Sequence, residues 1–355
     1  MKKILLVSKA LLLLCTLFSS LVSMAQSDVS ALIKSSPADA TKLTQAYLDP
    51  FFKGLGVGLN SGWNNTAHSK NLGRFELRFG VTGAIIPSSG KTFDVTKIGL
   101  SNNLQPTNST LVIAPTVAGS KNIGPSMDIK DENGATIDRF TLPQGQNLPF
   151  VPAPQLQGTV GLIKGIDVTL RAMPTLNIGE DFGSIGMFGG GVKVEIIPLI
   201  AGKTAKMVLP FDIAVAAGYT QFNYKLELDV QAPSGSTTDG QPSKNIENQM
   251  IDAKFSGVNL EAIISKKLMF FTPFLSVGYN TAKTSADLKG NYPLITGANQ
   301  YTTSLDPVSI SQKDISGLRT NVGFQLKMAF LRIYGSYSIA EYNSINAGIG
   351  FGIGN

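Results

Sequence analysis

His68-Ser69 is the first place where this sequence could do acid–base or nucleophilic chemistry, and His68 is its only histidine. A His–Ser hydrolase pair on a barrel wall needs both side chains on one strand face, hence two positions apart. These two are adjacent, in a stretch that reads as a loop between strands, so a solvated loop histidine is expected. One histidine and no cysteine beyond Cys15 also argue against a conventional zinc site. Asp128, Asp131, Glu132 and Asp138 cluster in a polar region but lack the Asp-x-Asp-x-Asp-Gly order of a calcium loop. They read as a solvated hairpin. Gly186-x-x-Gly189-Gly190-Gly191 resembles a phosphate loop only superficially, because no helix follows it. No catalytic residue, metal or cofactor is expected, and the chain does not read as an enzyme.

The other charged candidates form a ladder. Arg74, Glu76, Arg78, Arg171, Lys193, Glu195, Arg319, Lys327 and Arg332 each alternate with apolar neighbours and share one predicted face. On the inside of a barrel such a ladder sets ion selectivity or binds a polar headgroup. Equally, it fills the lumen with ion pairs and holds an N-terminal plug.

These side chains need strands to position them. Almost every patterned segment has period two, as in Arg74–Val81, Ile166–Arg171, Gly191–Ile196, Phe211–Tyr219 and Leu331–Ile339. The alternation switches parity near Tyr219–Phe222, which predicts a bulge or a strand leaving a bilayer. The closing stretch, INAGIGFGIGN, alternates to its last residue. It reads as a terminal strand paired on both edges, with Gly54–Asn64 on one side and residues 331–340 on the other.

Composition agrees with a barrel. Charged residues make up only 15%, and there are 37 glycines, 19 phenylalanines and 9 tyrosines. After residue 25 no run reaches the roughly 18 apolar residues of a spanning helix. Residues 1–25 read as a secretory signal peptide: Lys2-Lys3, an apolar core, then Ser23-Met24-Ala25 before Gln26. Its loss lowers the formal charge from +6 to +3, too little to suggest nucleic acid. Residues 27–48 read as helical, with Ser36 as N-cap, Pro37 in the first turn, and Asp49-Pro50 as the stop. Residues 26–53 are thus expected to be a helical plug using Leu43, Tyr47 and Phe51, and residues 54–355 the barrel.

Connections divide into short turns at Lys164-Gly165, Lys266-Lys267 and Met328–Phe330, and long polar loops at 231–248 and 283–313. That asymmetry marks outer-membrane barrels, with short turns in the periplasm. Counting crossings places Thr92–Leu100 as a strand and gives a closed antiparallel all-β transmembrane barrel of about twelve strands, with fourteen the alternative. Residues 101–154 read as a large extracellular loop, with a hairpin over 126–140 turning at Asn133-Gly134.

The block Tyr47–Ala67 (YLDPFFKGLGVGLNSGWNNTA), with Val151–Leu156 and Arg171–Pro174, resembles an uncharacterised barrel family of Bacteroidota outer membranes. The resemblance implies an outer-membrane location and supplies no catalytic residues. The helix-before-barrel layout is similar to that of long-chain fatty-acid transporters. The expected function is passive transport or binding of a small hydrophobic or amphipathic molecule. The alternative is a non-conducting barrel that anchors surface loops or partners. Expected partners are outer-membrane lipid, the barrel assembly machinery and that small ligand.

Overall fold

Ten strands close into one antiparallel barrel in which every strand pairs with its sequence neighbours and the last pairs with the first. They are β1 (Phe75–Ile85), β2 (Phe150–Gly161), β3 (Ile166–Gly179), β4 (Gly183–Glu195) and β5 (Asp212–Glu227). Then come β6 (Met250–Ser265), β7 (Phe271–Lys289), β8 (Val308–Met328), β9 (Leu331–Ile339) and β10 (Ser344–Gly352). The computed structural model describes residues 32–163, 165–179, 183–200, 210–232, 234–238, 245–297 and 299–352. The expected signal peptide, Lys164 and the last three residues lie outside the described residues.

Alternation builds the wall. In β1, Leu77, Phe79 and Val81 face out, and they pair across the seam with Phe351, Ile349 and Ala347 of β10. Leu275, Val277 and Tyr279 of β7 lie outward beside Ile264, Ala262 and Leu260 of β6. The result is a continuous outer belt of large apolar side chains, well beyond what a water-facing surface normally carries. Inward positions are polar and buried: Thr82, Gln157, Arg171, Thr220, Asn259, Asn280 and Asn346.

The polarity exchanges part-way along the strands. In β5 the outward set runs Ile213, Val215, Tyr219 and then Gln221, Asn223, Lys225, while the inward set becomes Phe222 and Leu226. No register shift accompanies the change. The sequence switch near Tyr219–Phe222 therefore marks a change of surroundings and not a bulge. An apolar interior fills this far half, where Phe222, Phe255, Ile310 and Ile315 surround the plug helix.

That helix, α1 (Pro37–Asn60), starts as the sequence suggests: Ser36 Oγ accepts from the Asp39 N–H. It does not stop at Asp49-Pro50. It runs through Pro50 to Asn60, so Gly54–Asn64 is not a strand and does not pair with the closing strand. β1, at Phe75–Ile85, takes that place beside β10. The reason is enclosure. Gly54, Leu55, Gly56, Val57, Gly58 and Leu59 are all buried, so the segment has no solvent face to impose a 3.6-residue stripe. A Cβ at Gly54 would lie 2.5 Å from Val151 Cγ2 and one at Gly56 2.6 Å from Ala282 Cβ, so glycine lets the helix approach the wall. Burying Phe52, Leu55, Val57 and Leu59 contributes on the order of 6–12 kcal/mol. That outweighs about 3 kcal/mol for an internal proline and about 1 for each glycine.

Thr92–Leu100 does not cross the barrel either. Thr92–Asp94 is a short strand paired with Ile113–Pro115 outside the barrel. Removing this segment and Gly54–Asn64 from the expected twelve strands leaves the observed ten, and the fourteen-strand alternative falls with it. Residues 87–149 instead form a folded loop domain. The expected hairpin is present as Ser126–Lys130 paired with Thr136–Thr141, with Leu104–Pro106 on its edge. Val95, Leu104, Met127, Phe140 and Leu142 bury their side chains against Leu43 and Tyr47 of α1. Asp128 is engaged by Arg139 and Thr107, and Asp131 caps the turn through the N–H groups of Asn133 and Ala135. The expected loop at 283–313 is largely strand: β7 extends to Lys289, Asn291–Gly297 pairs with Gln300–Leu305 in a hairpin outside the barrel, and β8 begins at Val308.

Candidate functional site

The C-terminus of α1 ends inside the barrel, where four carbonyls have no partner within the helix. Ser61 Oγ donates to Val57 O at 2.8 Å, and Gln155 Nε2 donates to Gly58 O at 2.9 Å. Arg171 Nη1 donates to Leu59 O at 2.8 Å, and Arg319 Nη1 donates to Asn60 O at 2.9 Å. Each terminal carbonyl is satisfied. The helix has no basic residue in its last turn. The wall supplies the positive charge that favours a helix C-terminus.

Beyond Asn60 the chain descends the lumen as a strap, residues 61–74, to the start of β1. Arg171 Nη2 donates to Ser61 O at 3.0 Å. Arg78 donates to the carbonyls of Gly62 and Trp63. The Arg171 guanidinium lies 4.0 Å from the centre of the Trp63 ring. Trp63 fills a slot floored by Gly191 and Gly218, which are opposite each other on β4 and β5. A Cβ at either glycine would come within 2.8 Å of the indole.

Lower down, the charges grip the strap's backbone. Lys193 Nζ donates to His68 O at 2.8 Å and pairs with Asp167 at 3.1 Å. Glu195 accepts from both the N–H and the hydroxyl of Ser69, at 2.8 and 2.5 Å. Lys70 pairs with Glu76 at 2.6 Å, and Arg332 reaches the same carboxylate at 3.5 Å.

Arg78, Arg171, Lys193, Glu195 and Arg319 are thus brought together around α1 and the strap, with Glu76 and Arg332 below them. Lys327 is half-buried at the short-turn mouth. Arg74 is exposed at the entry to β1 and does not join the group. Leu43 and Tyr47 pack on the loop domain, with the Tyr47 hydroxyl donating to Gln144 O at 2.9 Å, while Phe51 contacts the upper barrel core.

His68 is not a solvated loop residue. The strap carries it into the lumen, where Nδ1 lies 3.5 Å from Asp212 Oδ1 and 3.7 Å from Glu195 Oε1. The ligand atoms of these three residues lie within 4.8 Å of one another, the one grouping among the described residues that could hold a metal ion. Among the described residues the Ser69 hydroxyl donates to Glu195 and not to the His68 ring, so they show no His–Ser relay.

Sequence reasoning missed the plug's own contributions, Asn60, Ser61 and Trp63, and the wall groups Gln155, Gln157 and Thr220. Two signals pointed to them. Trp63 is the only tryptophan, and Gly191 and Gly218 sit at inward positions where a side chain is expected.

The fold and site define a closed β-barrel whose lumen is filled by an N-terminal helix and strap. The chain belongs to DUF6588, a family of unknown function, whose model matches residues 1–353. No curated protein sequence matches it significantly. Among solved structures, the translocator domain of the autotransporter NalP from Neisseria meningitidis is similar at 9% identity and a TM-score of 0.33, over 92% of this chain and 100% of that one. Ail of Yersinia pestis is similar at 9% identity and a TM-score of 0.27, over 80% and 100%. Neisserial surface protein A follows at 11% and 0.25, over 78% and 96%. Likeness at these scores carries no functional argument.

Proposed function

We propose that this protein is an outer-membrane β-barrel whose lumen is sealed by its own N-terminal segment, and that it serves as a non-conducting anchor for the 87–149 loop domain. The belt of outward Phe, Leu, Ile and Val supports the membrane placement. The short turns lie on the periplasmic side and the loop domain outside. One observation carries the sealed state: Arg78, Arg171 and Arg319, the lumen charges best placed to line a pore, spend their donors on the backbone of α1 and the strap. An epitope inserted at Asn133-Gly134 should be labelled on intact cells, and one at Met269 only after the outer membrane is permeabilised. The reverse pattern would overturn the orientation.

A second reading, passive transport or binding of a small amphipathic molecule, has one observation in its favour. A cleft of about 370 Å³ opens between α1 and residues 89–116, lined by Phe93, Ile98 and Pro50 with Lys42 and Asp49. That volume and mixed lining suit a small ligand. Saturable uptake of an amphipathic probe into liposomes, lost on Phe93→Asp, would favour this reading over the sealed anchor.

A further inference from the structure

The proline inside α1 leaves an acceptor on the helix surface. Pro50 has no N–H, so the carbonyl of Ala46 lacks the donor that the next turn of a helix supplies. Ala46 and Pro50 both line the cleft between α1 and residues 89–116. Other polar groups converge on the same space. Gln45 of α1 and Ser89 and Thr92 of the loop domain line it, and none of these three side chains has a hydrogen-bond partner among the described residues. Each of them can both donate and accept.

The cleft has no net charge to offer. Lys42 and Asp49 are the charged side chains that line it, and they are of opposite sign. Lys42 donates to the Gly99 carbonyl, while Asp49 pairs with Lys53 at 3.1 Å and accepts from Gln312 at 3.3 Å. An ion of either sign therefore meets one like charge. Phe93 and Ile98 pack on the loop-domain core and supply the apolar part of the lining. The walls are tied together: the Val117 N–H donates to Tyr47 O at 2.9 Å, and the Thr116 hydroxyl to Gly90 O at 2.7 Å. The site is thus preformed, and its volume of about 370 Å³ is that of a small-molecule pocket.

An acyl chain here would cover Gln45, Ser89, Thr92 and the Ala46 carbonyl without giving them partners, which is unfavourable. A sugar ring meets both halves of the lining. Its C–H face suits an aromatic side chain, and its hydroxyls donate and accept in turn. We propose that the cleft binds a neutral mono- or disaccharide, free or at the end of a surface glycan. One ring lies against Phe93, and hydroxyls reach Gln45, the Ala46 carbonyl and the Ser89 and Thr92 hydroxyls. The proposal deepens the second reading above by naming its ligand class, and it requires binding without transport.

The test places the full mature chain, in lipid nanodiscs free of sugar-headed detergent, on an array of neutral mono-, di- and oligosaccharides. The best binder is then titrated calorimetrically, with octanol and glycine as the comparison probes. At least one saccharide should bind saturably, and at least tenfold more tightly than either comparison probe. Gln45→Ala, which keeps a good helix former in α1, and Phe93→Leu, which keeps the apolar volume, should each weaken it at least fivefold. Lys97→Ala, on the exposed turn next to Ile98, should leave it unchanged. Equal affinity for the free sugar and a longer chain would support a soluble ligand, and preference for the chain a surface glycan. An array with no bound saccharide, or binding undiminished in either cleft variant, would overturn the proposal. Octanol binding in place of any saccharide would overturn the sugar and leave the amphipathic reading standing, and glycine in its place would overturn the neutral ligand. Saccharide binding without uptake into liposomes would support the site and dismiss transport.

Discussion

Replacing Arg171 with alanine should loosen the plug while leaving the barrel wall intact. The side chain is fully buried and donates to Leu59 O at 2.8 Å and to Ser61 O at 3.0 Å. Each such charge-assisted bond is worth about 1.5–3 kcal/mol. Stacking on Trp63 at 4.0 Å adds about 2 kcal/mol for a desolvated pair. Against this, alanine relieves the cost of burying a guanidinium, several kcal/mol. The net loss is on the order of 3–5 kcal/mol, and it falls mainly on the plug: the side chain also donates to Gln157 and Thr220 of the wall, but the β2–β3 backbone ladder does not involve it. Trp63 is the only tryptophan and is buried, so its emission reports the plug, while far-UV circular dichroism reports the barrel. In urea, Arg171→Ala should move the Trp63 transition to lower denaturant while the dichroism transition stays near its parental midpoint. If the two transitions shift together, or neither shifts, the bonds to α1 do not hold the plug and the reasoning fails.

Gly218→Val places a Cβ 2.5 Å from Trp63 Cε2. It should cost about 1–3 kcal/mol by overpacking and red-shift the tryptophan emission of the folded protein. Asp39 accepts from the N–H and hydroxyl of Ser101 at 2.8 and 2.6 Å, tying the start of α1 to the loop domain. Asp39→Ala should cost about 1–3 kcal/mol locally and make residues 87–149 more susceptible to limited proteolysis. The hydrogen bond from Arg139, with that from Thr107, holds the Asp128 carboxyl below its ordinary value. The folded carboxyl then ionises below its unfolded counterpart. The pair therefore contributes above the unfolded value, and the contribution is lost as pH falls through the folded one. Amide exchange in the 126–141 hairpin should accelerate selectively in that acidic window, and Asp128→Asn should remove the dependence.

The barrel was legible because its wall obeys a local rule: residues two apart share a face, and one face is apolar. The inward parity of Arg171 and Arg319 could be read from neighbours such as Leu170 and Leu318, which are 51% and 74% exposed. What those arginines touch could not be read, since their partners, Leu59 O and Asn60 O, lie more than a hundred residues away. The segment Gly54–Leu59 misled for a physical reason. Its alternating glycines mimic a strand with a small-residue face, yet they serve close approach of a helix to Val151, Ala153 and Ala282 on the enclosing wall. A helix buried on all sides carries no amphipathic period, so pattern alone assigns it wrongly. Thr92–Leu100 misled because a short strand in a folded loop alternates like one that crosses a bilayer.

The central claim is that α1 and the strap seal the lumen. Single-channel recording in planar bilayers tests it most directly, comparing the full mature chain with a variant carrying both Arg171→Ala and Arg319→Ala, each with insertion verified. The account predicts silence from the parent and discrete conductance steps from the double variant as the helix C-terminus loses its hold. Steady conductance from the parent chain would contradict it.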